Sequence, residues 1–294
     1  MTPGRFDHFL AIDWSGAKGE RQKGIAVALA HRDGGAPVLI DRGMAWSRRE
    51  VLHLLLDLPD NTLVGMDLGI SLPFVDAGAF FPGWDESPHD AKSLWALIER
   101  VCIDDPNFEA SRFVTHSEAR RHFRHAKDNE GEFFHLPNAS TREGRFRQAE
   151  LAQRAMGCRP VSNFNLVGAA QVGKSSLTGM RILNRLQGHV PVWPIDPFPA
   201  QGSVIVEIYT SLAAKEAGAG AGRSKIRSYK VLNAALNSWK VPPVVGEGEI
   251  DDHSSDALIT AAWLRKVGHD PARWAPSGLT DEVARTEGWT FGAV

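Results

Sequence analysis

The sequence predicts an α/β protein, a mixed sheet flanked by helices and carrying a large helical insertion. Three features lead there. Apolar stretches at 9–12, 24–30 and 38–46 are separated by short, turn-rich links, as in an antiparallel meander. A capped helical stretch then leads into a fourth apolar run, Leu63-Val-Gly-Met-Asp67. After an interval of different character, a β-branched run at 203–209 and a long helix at 250–268 resume the alternation of strand and helix.

Taken in order, Phe9-Leu-Ala-Ile runs into Asp13, and Ser15-Gly16 turns the chain. A strand this apolar is covered on both faces. Gly24 to Ala30 reads as the second strand, Arg32 to Pro37 as a turn, and Val38 to Trp46 as the third strand. Ser47, with Glu50 three residues on, forms a capping box, and Pro59 stops that helix near Leu58. Between 74 and about 200, aromatic, His and Arg residues dominate, and helices are predicted over 90–101, 116–126, 144–156 and 175–187. Segments 1–73 and 201–294 therefore read as the core, with 74–200 as an insertion or lid packed on it. In the returning core, Glu207 sits inside a strand and a helix is predicted over 223–238. The last helix has a polar start, Arg265 and Lys266 in its final turn and Gly268 just beyond.

With 294 residues, 43% hydrophobic and 23% charged, the chain has ordinary globular composition and lies near the upper limit of a single core. A net charge of -2 and a pI of about 6.6 provide no global basic field, so any nucleic-acid binding must come from a local patch. Cys102 and Cys158 are too few for a disulfide framework and point to a reducing compartment. No apolar stretch has the length of a signal peptide or membrane span, so the expectation is a cytoplasmic protein without membrane contact.

Four acids stand on elements otherwise apolar enough to be core: Asp13, Asp67, Glu207 and Asp256. Each alone has a plain structural explanation. Asp13 and Asp67 can cap turns, Glu207 can pair with a buried arginine, and the helix dipole favours Asp256 in a first turn. Jointly they are harder to dismiss, because unpaired buried charge is costly. Adjacent parallel strands lie about 4.8 Å apart, so acids at corresponding strand ends could share one cation. On the last helix Asp252 and Asp256 are spaced i,i+4 and His253 and Asp256 i,i+3, and either pair shares a face. Hard oxygen donors suit Mg²⁺ or Mn²⁺, and two such ions about 4 Å apart support phosphodiester hydrolysis.

This order of elements resembles the ribonuclease H-like fold, which implies a mixed five-stranded sheet. His253-Ser-Ser-Asp256-Ala-Leu resembles the helix motif of RuvC-type resolvases. Ala-Ile-Asp13-Trp-Ser-Gly, Val-Gly-Met-Asp67-Leu-Gly-Ile-Ser-Leu-Pro, Val-Glu207-Ile-Tyr, His253-Ser-Ser-Asp256-Ala and Glu287-Gly-Trp-Thr-Phe-Gly together resemble an uncharacterised family of predicted RNase H-like nucleases. That family pattern has Pro after the Tyr of the fifth strand, where this chain has Thr210. The resemblance implies a metal-dependent nuclease acting on RNA or DNA. Asp13, Asp67 and Asp256 would hold the metals, Glu207 would be a further ligand or water-orienting base, and His253 and Asp252 would be secondary candidates.

Gly168-Ala-Ala-Gln-Val-Gly173-Lys174-Ser175 also fits the phosphate-binding pattern G-x-x-x-x-G-K-[ST]. Its surroundings fit less well, because Asn165 interrupts the preceding strand and two prolines break the next one, 190–196. A phosphate-handling NTPase or kinase-like enzyme is therefore the second functional reading, and a binding module without catalysis the third. Lys174 could also contact phosphate within a nuclease cleft. In the insertion, helical spacing would put Arg120, Arg124 and Lys127 on one face able to hold phosphates. The plainer alternative is a solvated helix balanced by Glu118, Asp128, Glu130 and Glu132. Trp84 and Trp95 could stack on bases but suit core packing better.

Overall fold

A computed structural model describes residues 5–137, 139, 142–168, 171–219 and 225–294. Six strands form the central sheet: β1 (His8–Asp13), β2 (Ala26–His31), β3 (Gly34–Leu39), β4 (Thr62–Asp67), β5 (Val192–Trp193) and β6 (Val204–Glu207). Their order is β3-β2-β1-β4-β6-β5. The meander β1–β2–β3 is antiparallel, whereas β4 runs parallel to β1 and to β6, and β5 is parallel to β6. The sheet is thus mixed, with one strand more than the five expected. The sixth, Val192–Trp193, comes from the segment read as insertion. Its flanking prolines are tolerated because it occupies the edge, where one row of backbone groups needs no partner.

The meander also differs in detail. Its third strand starts at Gly34 and ends at Leu39, and Pro37 sits on the free edge. Trp46–Ser47 instead pairs with Arg21–Gln22 in a separate ribbon. Ser47 caps α1 (Arg48–Leu56) with the reciprocal Glu50 bonds of a capping box.

Strand alternation divides the core. Leu10 and Ile12 of β1, Val64 and Met66 of β4 and Ile205 of β6 pack in one layer, against α1 and the helices α2 (Ala91–Val101) and α4 (Val172–Arg185) of the middle segment. Phe9, Ala11, Leu63, Val204 and Val206 pack in the other layer. That layer is covered by α5 (Thr210–Glu216), α6 (Tyr229–Ser238) and α7 (Asp252–Val267). The remaining long helix, α3, spans Gln148–Ala155. Gly65 makes the approach of α7 possible, since a Cβ there would lie 2.7 Å from Ile208 Cγ2 and 2.9 Å from Leu264 Cδ1.

The helix expected over 116–126 does not form. Ala119–His122 is a 3-10 turn, and Arg124–Ala126 pairs with Asn129–Glu130 as a bulged hairpin. His122 and Phe123 are drawn into an aromatic cluster with Phe81, Phe113 and Phe164, so burial of rings overrides helical spacing. The helix expected over 223–238 begins at Tyr229, and residues 223 and 224 lie outside the described residues. Trp95 is core and donates to Ile70 O at 2.7 Å, while Trp84 stacks on His116. No helix among the described residues is long and apolar enough to cross a membrane.

Candidate active site

β1 and β4 end together, and Asp13 and Asp67 are register partners across that parallel pair. Counting alternate residues back along each strand leads to Ala11, Phe9 and Leu63, which lie in the layer beneath α7. Both carboxylates therefore face α7. That helix is capped by Asp251, whose side chain accepts from Ser254 N at 2.9 Å. The cap sets its first turn over the strand ends. His253 Nδ1 comes within 2.7 Å of Asp13 Oδ2, and Asp256 lies one turn further on. Lys225 Nζ donates to Asp256 Oδ2 at 3.0 Å.

Three carboxyl groups thus crowd one spot. Burial, then the negative charges of Asp13 and Asp256, push the Asp67 carboxyl well above the usual range. Burial likewise raises Asp256, against the pull of Lys225. Burial works against the Lys225 ammonium, but Asp256, with Asp13 and Asp252, offsets it and the pKa rises. The hydrogen bond to Asp13 raises His253. Among the described residues, one ammonium and one imidazole are set against these acids, and Lys225 is half exposed to solvent. Oxygen donors in this number suit a hard divalent ion such as Mg²⁺ or Mn²⁺. Among the described residues, no three His, Cys, Asp or Glu side chains stand in ready-made coordination geometry.

Glu207 does not join the group, a correction to the four-acid expectation. It stands opposite Met66, on the alternate parity from Asp67, so its side chain leaves the sheet on the other side. Both of its oxygens are occupied. Arg147 Nη2 and Thr290 Oγ1 donate to Oε1 at 2.6 and 2.5 Å, while Arg147 Nη1 and Ile70 N donate to Oε2, each at 2.8 Å. Arg147 is itself buried and also binds Glu150. Asp252 is likewise engaged at the rim, accepting from Arg227 at 2.8 and 3.1 Å, and that hydrogen bond lowers its pKa.

Sequence reasoning passed over several residues that build the site. Buried Arg48 donates to Ser15 O at 2.8 Å and to Ala17 O at 2.5 Å, fixing the loop after Asp13. Thr210, the departure from the family pattern, occupies the first position of α5, where Pro is also favoured. Unlike Pro, its hydroxyl reaches Asp67 Oδ2, at 3.4 Å. Lys225 carried no signal at all, because it precedes its helix and meets Asp256 only through the fold. The C-terminal motif is structural. Glu287 accepts from the backbone of Phe74, Val75 and Gln148 at 2.6–2.8 Å and so clamps the start of the middle segment to α3.

Beside Asp67 opens a cleft of about 210 Å³, whose walls include Trp14, Gln171, Ser175 and Tyr209 and also the paired Arg147 and Glu207. The phosphate-loop pattern contributes this wall, but its Ala169 and Ala170 lie outside the described residues. Lys174 points elsewhere and donates to Gln171 Oε1 at 2.8 Å. Gly173 serves packing, since a Cβ there would lie 2.6 Å from Asn163 O. Asn165, just before the motif, forms an isolated bridge to Arg124 and, among the described residues, no strand of the central sheet. Arg120 stays on the exposed 3-10 turn and lines neither this cleft nor the neighbouring cavity, while Arg124 lines the latter. Comparison with known proteins finds no matching family model, no similar curated protein and no similar solved structure.

Proposed function

We propose that this protein is a divalent-metal-dependent hydrolase of phosphodiester bonds in nucleic acid, built on a ribonuclease H-like core. The observation that carries the reading is the meeting of Asp13 and Asp67, partners at two parallel strand ends, with Asp256 delivered by the first turns of α7. The strand order β3-β2-β1-β4-β6, with β5 added at the edge, agrees with the resemblance drawn from the motifs.

Asp13, Asp67 and Asp256 would hold Mg²⁺ or Mn²⁺, which when bound supplies an activated water and stabilises the leaving oxygen. The chain's own groups prepare that place. His253 orients Asp13 through Nδ1, Thr210 bonds to Asp67, and Arg48 holds the Ser15–Ala17 loop against the site. The Glu207–Arg147 pair acts at one remove, by anchoring Ile70 just beyond Asp67. The NTPase reading is weaker, because Lys174 is turned to Gln171 and no sheet strand leads into the loop among the described residues.

The test is cleavage of single-stranded, duplex, hybrid and branched substrates with Mn²⁺ by the wild type and by Asp13→Asn and Asp256→Asn. The wild type should cleave at least one substrate, and each variant should lose about 10²-fold or more in rate. Equal activity in wild type and variants, or none in any, would remove the proposal. ATP turnover lost on Lys174→Ala would favour the NTPase reading instead.

A further inference from the structure

The cleft at Asp67 continues beyond the acids. Pro160 and Val161 form part of its wall and also part of the wall of a larger cavity of about 590 Å³. Gly168 lines the larger cavity and Gln171 the smaller.

The larger cavity has a different character from the acidic end. Arg124, Lys127 and Arg142 line it. The Arg124 guanidinium donates to Lys127 O at 3.0 Å and lies 3.5 Å from Glu130. Lys127 and Arg142 are exposed, and among the described residues no carboxylate pairs with either. Glu143, in the same wall, is already neutralised by Arg154 at 2.6 Å. Two cations that no carboxylate pairs among the described residues, Lys127 and Arg142, therefore stand beside Arg124 on a chain of net charge -2. Phe146, Val161 and Val167 supply apolar wall between them. At about 210 Å³ the acidic cleft falls below the roughly 300 Å³ at which pockets begin to take drug-sized ligands.

We infer that the two cavities form one track for a single-stranded polynucleotide. Its backbone phosphates lie on Arg124, Lys127 and Arg142, its bases lie against the apolar wall, and the strand is led past Pro160 and Val161 to Asp67. Cations at such a wall hold phosphates without reading sequence, so DNA and RNA strands both fit. The direction of the track rests on the nuclease reading, because its far end is the acidic site.

The experiment separates binding from cleavage. Fluorescence anisotropy in EDTA compares labelled single-stranded DNA and RNA with the matching duplex, for the wild type, Lys127→Ala/Arg142→Ala, and Lys266→Ala as a remote control. Single strands should bind more tightly than duplex. The double variant should bind them about tenfold more weakly, with the slope of log affinity against log salt reduced by about 1.4, near 0.7 for each phosphate no longer neutralised. Lys266→Ala should bind as the wild type does. Unchanged binding in the double variant, or preference for duplex, overturns the track. A wild type that cleaves while the double variant binds normally keeps the nuclease and sinks the track. A wild type that binds single strands through these two cations but cleaves nothing keeps the track and sinks the nuclease.

Discussion

Asp67 and Glu207 are both acids at the ends of apolar parallel strands, yet one faces α7 and the other is buried on the opposite side of the sheet. The difference is one residue of register, because side chains alternate along a strand. Glu207 and Glu150 share one buried guanidinium, that of Arg147, and burial raises the Glu150 carboxyl despite it. Arg147→Met would leave two buried carboxylates without their cation. It should cost about 3–5 kcal/mol in urea denaturation, while Asp13→Asn should leave stability nearly intact or raise it by relieving repulsion at Asp67. Equal losses in the two variants would show that the structural and candidate catalytic acids had been misassigned.

At the level of single elements, α1 and β4 carry separate predictions. The Ser47 backbone N–H is the main influence holding the Glu50 carboxyl at about 2, below its ordinary 4.5, against a smaller opposing effect of burial. A depressed folded-state pKa means stability that is present above 4.5 and lost as pH falls toward 2. Glu50→Ala, which removes this carboxylate, should therefore cost about 1 kcal/mol near neutral pH, and that cost should shrink in thermal melts repeated across this acidic window. On β4, Gly65→Val would drive methyl groups into Ile208 and Leu264, and should cost about 1–3 kcal/mol or prevent α7 from docking. Circular dichroism melts check it. Gly65→Ala should be milder, because the far ends of those two side chains can shift.

For the whole molecule, three separated parts of the chain meet in one site, so its ligands should stabilise the entire fold. If Mn²⁺ binds the native state alone, Mn²⁺ at about 100 times its Kd adds about 2.7 kcal/mol. Thermal melts should rise with added Mn²⁺ in the wild type and stay flat in Asp13→Asn and Asp256→Asn. A rise of the same size in both variants would place the ion elsewhere.

Much of this was legible in the chain. The apolar runs into Asp13 and Asp67, the Ser47–Glu50 cap and the last helix are local patterns, and periodicity and capping chemistry act over a few residues whatever surrounds them. What only the tertiary structure decided was long-range. The edge strand at Val192–Trp193, the collapse of 116–126 onto an aromatic cluster, the turning away of Glu207 and the arrival of Lys225 at Asp256 all depend on partners far along the chain. Sequence carries side-chain type and local spacing. The pairing register between strands, and with it which charges meet, is set when the sheet closes and its two faces are buried.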